Sequence, residues 1–560
     1  MVLLTLLVSA TVLSACGSGS KSNTAATGEP TGSGKPSEAS ESQQSDNGQA
    51  DPLGKYESPV QVTIGRTADN FKFAPGQSID KNVVYDLYEQ KLGIKVINDW
   101  VVPSEQYDSK VNVAIASGNI PDMIEVNGAQ LKNLVEADMI EDLASVYEKY
   151  ASADTKNLLS EDGGYGINAG SINGKMYGLP VTTQGYWDSQ VLWIRQDWLD
   201  RLKLEPPKTM DDVIRIAKAF TNDDPDGDGK NDTNGLGVSK DLLTNLFGFF
   251  NGYHAYPGKW FKDGNGSVVY GSLKPEMKEP LVKLADMYRS GIIDKEFGVK
   301  DGAKLTEAMN AGKIGMVYGN FAYPMFAFKD SIVTNPKAEW NGYPLPSADA
   351  NPAKAFVGPT ASTFFVVKKG FKNPEALVKM ANLWVDGLVH PNTQNLDKEK
   401  SDADYQTYRY FFVRMSAPLA HISQHEHVKA ALLANEKPDK AKHTVDEYGY
   451  LDAIYKYKAN PENTKDPVIL NGWTFNRTFG TPHSGLEVLD EYFKNDLTIY
   501  TGLKVASTET MAAKMPTLTK MEEVMLTKII IGETGIEEFD KFVQDWNKLG
   551  GEQITKEVNE

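Results

Sequence analysis

Cysteine occurs once in 560 residues, so no disulfide can form within the chain and its stability must come from packed cores. Past the first turn of the sequence no apolar run approaches the about 18 residues that a spanning helix needs. Positive charge is in deficit: 58 Lys and Arg stand against 75 Asp and Glu, and a net charge of -17 argues against nucleic acid as a partner. A Gly-x-Ser-x-Gly elbow, a Walker-type phosphate loop, a dinucleotide fingerprint and a His-Glu-x-x-His helix are all missing. Catalysis therefore has no motif behind it, although among 75 acidic residues the two carboxylates of a glycosidase would carry no distinguishing mark.

The single cysteine is placed where it decides much. Twelve uncharged residues, Val2 to Leu13, precede Ser14, Ala15 and Cys16, an export segment that is too short to span a membrane. The pattern resembles the lipobox of bacterial lipoproteins, which implies cleavage before Cys16, a signal peptide over residues 1–15 and a diacylglyceryl anchor on the thiol. Two acyl chains hold a soluble domain stably where one does not. No Lys or Arg lies between Met1 and Cys16, so the start as written is expected to truncate the signal.

From Gly17 to about Leu53 the sequence holds no aromatic residue and is dominated by Ser, Gly, Thr, Ala, Gln, Asn and Pro, a composition that cannot offset chain entropy by burial. A disordered tether over 16–57 is expected. Beyond it, Val60, Val62 and Ile64 alternate as a strand, and Val83, Val84, Leu87, Tyr88 and Leu92 recur at helical spacing before the stop at Gly93. A strand over Ile94 to Ile97, a helix from Ser104 to Ser117 and a strand from Met123 to Val126 continue the alternation, which predicts an α/β sheet with parallel pairs. Thr209-Met210-Asp211-Asp212 reads as a capping box, Ile314 to Tyr318 as a strand, Asn373-Pro374-Glu375 as a helix start, and Thr534 to Glu537 as a cap for a helix ended by Gly550-Gly551. The Lys-rich stretch of about 391–467 is treated as a helical insertion.

Three groups carry chemistry. Asp224, Asp226, Asp228 and Asp232 occupy positions 1, 3, 5 and 9 of a loop with Gly229 at 6, and Lys230 at 7 offers its carbonyl, as in a calcium loop. Gly235 stands where a bidentate Glu closes such loops, which points to a structural loop. His421, His425 and His427 have spacing open to zinc but read as a solvated helix or loop. Junctions of aromatic and amide groups at Tyr186-Trp187, at Asn320-Phe321-Ala322-Tyr323 and at Trp473 to Arg477 suit a sugar, whose ring has an apolar face and a hydroxyl rim; core packing is the alternative for each.

Ala116 to Met123, Asn173 to Pro180, Pro206-Pro207-Lys208-Thr209, Gly312 to Met316, Val357-Gly358-Pro359 and Phe539 to Glu557, taken in order with the lipobox, resemble family 1 of the bacterial extracellular solute-binding proteins, in particular large oligosaccharide-binding lipoproteins. The resemblance implies a two-lobed α/β fold of the type II periplasmic-binding kind, with crossing hinge strands and the helical insertion. Lobe 1 would comprise 58–183 and 345–510, and lobe 2 184–344 and 511–560 with the calcium loop at 224–235. Crossings would fall near Val181 to Trp187, near Tyr343 to Pro346, and before Pro516. Ligand contacts would come from Arg66, Asp69 and Asn127 in lobe 1, Tyr186 and Trp187 at the crossing, and Asn320, Phe321 and Tyr323 in lobe 2; Trp473 and Arg477 are added on composition alone. By the same resemblance Asp224, Asp226, Asp228, Lys230 and Asp232 would hold a structural calcium, with Thr233 where relatives have an acid.

The function so implied is a non-enzymatic, monomeric receptor, lipid-anchored on the outer face of a Gram-positive membrane, which passes an oligosaccharide to ABC-transporter permease subunits. An exported glycoside hydrolase or lyase and a peptide or metal-chelate receptor are the other readings, since fold does not fix ligand.

Overall fold

The computed structural model describes residues 50–67, 71–389, 407–503 and 508–560. Cys16, Asp69 and most of the expected tether lie outside the described residues.

The last residues of the expected tether, 50–57, are part of the folded first lobe. Residues 51–56 are clasped by a later helix: buried Lys379 donates from Nζ to the carbonyls of Asp51 at 3.2 Å and Gly54 at 2.6 Å, and Asn382 donates to that of Pro52 at 2.8 Å. Leu53 and Tyr56 pack on the first core, and the Tyr56 hydroxyl donates to Glu375. These are backbone acceptors, which a composition count does not see.

The first lobe follows the expected alternation. Strand β1 (Val60–Thr67) leads to helix α1 (Val83–Leu92), capped by the Asn82 side chain and stopped by Gly93 at φ 69°, then β2 (Ile94–Val102), α2 (Ser104–Ala116), β3 (Met123–Asn127), α3 (Gly128–Glu136) and β4 (Leu179–Thr182). The chain then crosses into β5 (Val191–Arg195), α4 (Met210–Asn222), β6 (Asn234–Leu236), β7 (Ile314–Gly319) and β8 (Trp340–Tyr343) of the second lobe. Thr209 caps α4 with the expected box, its partner being Asp212. After β9 (Ala355–Val357) the chain returns to the first lobe for β10 (Ala361–Val367) and α5 (Glu375–Val389).

The first sheet has the order β2-β1-β3-β10-β4, with β1 parallel to β2 and β3 and β10 antiparallel to both neighbours. The second has the order β8-β5-β7-β6, with β6 and β7 parallel. Each sheet buries its own core, as two layers of helix on sheet require: Val62, Ile94, Leu179 and Met380 in the first, Trp193, Phe220, Val317 and Trp340 in the second.

The expected lobe boundaries need correction. Leu345, Ala353 and Ala355 still belong to the second core, so the second crossing falls after β9 and not near Tyr343 to Pro346. The third runs through Ser416 to Leu419, and Pro516 lies inside a helix, Glu509–Ile531. From there α6 (Ala420–Leu433), α7 (Val445–Ala459), α8 (Pro467–Thr478) and α9 (Gly485–Lys494) cover the second core through Ile422, Leu451, Trp473 and Leu486. They are therefore second-lobe helices, not an insertion in lobe 1. Near the C-terminus Ile536 precedes the helix Glu537–Trp546 with no side-chain cap, and the chain kinks at Gly550 (φ 127°) and continues helically.

Candidate functional site

The three crossings lie side by side. Thr183 N–H donates to the Thr360 carbonyl at 2.8 Å, Gly358 N–H to the Gly185 carbonyl at 2.9 Å, and Ser189 Oγ to the Phe356 carbonyl at 2.8 Å. A Cβ on Gly185 would meet the Gly358 carbonyl at 2.4 Å, so only glycine lets these two segments approach.

Beside the crossings the carboxyl ends of β1 and β3 open onto a cavity of about 290 Å³, the place where open α/β sheets hold ligands. Its walls are Gly65 to Thr67, the first turns of α2, Glu125 to Asn127, Thr363 and the segment Phe411 to Arg414. Arg66 and Asn127 are thus brought together as expected, but much of their hydrogen-bonding capacity is spent internally. Arg66 is 6% exposed and donates to the Tyr85 hydroxyl and to the carbonyls of Tyr410 (2.9 Å) and Arg409 (2.8 Å), clamping the segment that carries Arg414. Asn127 caps α3 in a reciprocal box with Gln130.

Two residues of this wall, Tyr107 and Arg414, escaped the sequence reading. The Tyr107 hydroxyl donates to the Glu125 carbonyl at 3.0 Å, and its ring lies 5.4 Å from that of Trp100, which covers Gly65. Arg414 carries no signal in its neighbouring residues, because it reaches the cavity only through the Arg66 clamp. Burial pulls its guanidinium pKa below the usual arginine value, against the opposing pull of Glu125.

At the first crossing Trp187 is 38% exposed, with its ring 4.6 Å from Phe321 and 6.0 Å from His421. Part of its side chain is open to solvent, with the Phe321 and His421 rings packed against the rest. Tyr186 and Phe321, at 1% exposure, are buried in the second core and expose no face here; the Tyr186 hydroxyl accepts from the His421 N–H, and burial raises its pKa. Asn320 holds its turn, accepting from the Ala322 N–H at 3.1 Å, and half-buried Tyr323 packs edge-on against Phe328. Trp473, at 2% exposure, is core. Arg477 is buried in an ion pair with Glu339 at 2.5 Å and also donates to the Pro482 carbonyl, so both composition-based residues are structural.

The histidines sit on α6 and do not converge. His425 is fully buried against the Phe479 carbonyl at 2.8 Å, His427 pairs with Glu447 at 2.6 Å, and His421 packs beside Trp187, where burial lowers its pKa. The helix is real but only partly solvated.

In the aspartate loop, Asp224, Asp226 and Asp228 bring carboxylate oxygens within 4.8 Å of one another. Asp224 Oδ1 is buried without a partner, which fits a cation, as does the oxygen-only donor set. Asp232 is not part of this trio: its carboxylate turns to Lys313 Nζ at 2.6 Å, and that ammonium also stands 3.7 Å from Asp226 and 3.8 Å from Asp228. The Lys230 side chain bonds Asp228 at 2.9 Å and holds it below the usual carboxylate range. Thr233 donates inward to the Phe220 carbonyl at 2.7 Å, and a Cβ on Gly235 would stand 1.9 Å from the Ala217 carbonyl, so neither position can supply a further carboxylate.

Parts of the sequence are similar to those of other binding proteins. The polygalacturonan/rhamnogalacturonan-binding protein YtcQ of Bacillus subtilis (strain 168) is 31% identical over 227 residues, 39% of this chain and 43% of YtcQ. The fructooligosaccharide ABC transporter substrate-binding protein FusA of Streptococcus pneumoniae serotype 4 is 26% identical over 333 residues, 56% of this chain and 58% of FusA. The chain spans about half the length of these relatives. An extracellular solute-binding protein from Bifidobacterium longum subsp. infantis has the same fold, with a TM-score of 0.56 at 16% identity over 90% of this chain and 98% of that one. The model of the bacterial extracellular solute-binding protein family matches residues 72–386, more than half of the sequence, and the chain belongs to that family.

Proposed function

We propose that the chain is a membrane-anchored extracellular receptor that captures an oligosaccharide between its lobes and presents it to an ABC permease without altering it. The observation that carries this reading is the pairing, around one set of crossings, of a polar cavity at the first sheet's carboxyl edge with the exposed face of Trp187. A sugar needs both surfaces at once: hydrogen-bonding groups for its hydroxyl rim and an aromatic plane for its C–H face. Closure about side-by-side crossings would bring the two together. The oligosaccharide-binding names of YtcQ and FusA support the ligand class.

The anchor is Cys16, acylated after export. The aspartate loop takes calcium through Asp224, Asp226 and Asp228, the Lys230 carbonyl completing the set; the ion's role is to neutralise the loop, with no part in ligand chemistry.

The test is calorimetric titration of the purified protein with an oligosaccharide panel, followed by chromatography of the recovered sugar. Saturable binding with the sugar returned unchanged is expected. Shortened or unsaturated products would instead identify a hydrolase or lyase.

A further inference from the structure

The first-lobe cavity is unevenly satisfied. Its two carboxylates already hold donors of the protein: Glu125 accepts from the Thr363 hydroxyl at 2.6 Å, and Asp108 accepts from the amides of Asn127 and Gln130 at 3.4 Å each. Arg66, one of its two guanidinium groups, commits most of its donors to the Tyr85 hydroxyl and to carbonyls of Thr67, Arg409 and Tyr410. Arg414, the other, makes no hydrogen bond to any described residue, although it is more than half withdrawn from water by the cavity wall.

In the cavity the five donors of this guanidinium are left to water, so they are free to meet an acceptor brought by the ligand. A lone hydroxyl answers one or two of those donors and leaves the charge uncompensated. A carboxylate answers two in parallel and neutralises the charge, the geometry for which arginine is suited and lysine is not. Glu125 lies close enough to influence Arg414 electrostatically, yet its bonded oxygen faces Thr363, so the cavity contains a nearby negative charge but no fork-to-fork partner.

We propose that Arg414 is the specificity residue of the cavity and that it reads the carboxylate of a uronic acid unit, so that the receptor's ligand is an acidic rather than a neutral oligosaccharide. This rests on the oligosaccharide-receptor reading and narrows its substrate class. The Arg66 clamp on the Arg409 and Tyr410 carbonyls is what presents the guanidinium to the cavity, so specificity here depends on a residue that does not itself face the ligand with free donors.

The test uses trigalacturonate, its fully methyl-esterified form and a neutral fructotriose, titrated against the full chain and against Arg414→Gln and Arg414→Lys. The intact protein should bind the acid at least about 30-fold more tightly than the ester, the scale of a charge-assisted bidentate pair. Arg414→Gln should bring the acid-to-ester ratio close to one, and Arg414→Lys should recover only part of it, because the charge returns without the fork. The ratio is read within each variant, so a change in its folded fraction does not imitate the effect. Equal binding of acid and ester by the intact protein, or tighter binding of the neutral sugar, overturns the inference while leaving the receptor reading in place. Binding of no saccharide in the broader panel overturns both.

Discussion

Thr182 and Ser416 exchange two hydrogen bonds: the Thr182 hydroxyl donates to the Ser416 carbonyl at 2.7 Å, and the Ser416 N–H donates to the Thr182 carbonyl at 3.0 Å. They join the start of the first crossing to the third, so the lobes are hinged on a narrow three-segment ribbon. Thr182→Val keeps the shape and the backbone bond but removes the hydroxyl. Stability of the empty protein should fall by about 1 kcal/mol, the net value of one such bond, as measured by urea unfolding. An unchanged midpoint would show that water replaces the hydroxyl at no cost.

Trp187 and Phe321 separate binding from packing. Trp187→Ala should weaken oligosaccharide affinity by about 30-fold or more with little change in melting temperature, since a substantial part of the ring faces water. Phe321→Ala, which empties a fully buried site, should cost about 3 to 5 kcal/mol of stability. A Trp187 variant that melts much earlier yet binds normally would place that ring in the core and not in the site.

The loop at Asp224 to Asp232 should respond to chelation. With free calcium at about 100 times its dissociation constant, the ion adds about 2.7 kcal/mol, and removing it should lower the melting temperature accordingly. Asp226→Ala should abolish the response. Lys313→Met should strengthen calcium binding, because its ammonium competes for Asp226 and Asp228. Melting curves that coincide with and without chelator would mean that Lys313 and Lys230 neutralise the loop without an ion.

Glu522 sets a pH dependence far from the cleft. It is fully buried, accepts from the Tyr270 hydroxyl at 2.8 Å and from the Ser272 hydroxyl at 2.5 Å, and burial pushes its carboxyl up to about 7. A raised carboxyl pKa means the folded state holds the proton more tightly than the unfolded one. The associated stability is fully present below the unfolded value near 4.5 and is lost as pH rises through about 7. Glu522→Gln should flatten that slope, and at pH 8 the variant should melt above the parent. A parent curve with no slope between pH 5 and about 8 would remove Glu522 as its source.

What is legible in the sequence follows from how local each signal is. The stop at Gly93 and the capping box of Thr209 with Asp212 depend on residues within one turn, and both are present as expected. The allegiance of α6 to α9 is not local: an apolar stripe says that a face is buried but not against which sheet, so those helices are misassigned to the first lobe from sequence. Trp473 and Arg477 fail for a related reason, since buried polar neighbours such as Thr474 and Asn476 make a packed face of α8 resemble a site. Arg414 and Tyr107 stay invisible because the cavity exists only once β1, β3 and the Phe411 to Arg414 segment are assembled.

The clasp of Lys379 and Asn382 on residues 51–54 has a mechanical consequence. Any pull arriving along the chain ahead of residue 50 is delivered to α5 and dissipated in the first lobe, without loading the crossings. With the proposed anchor at Cys16, the first lobe would be the held jaw and the second the one free to swing.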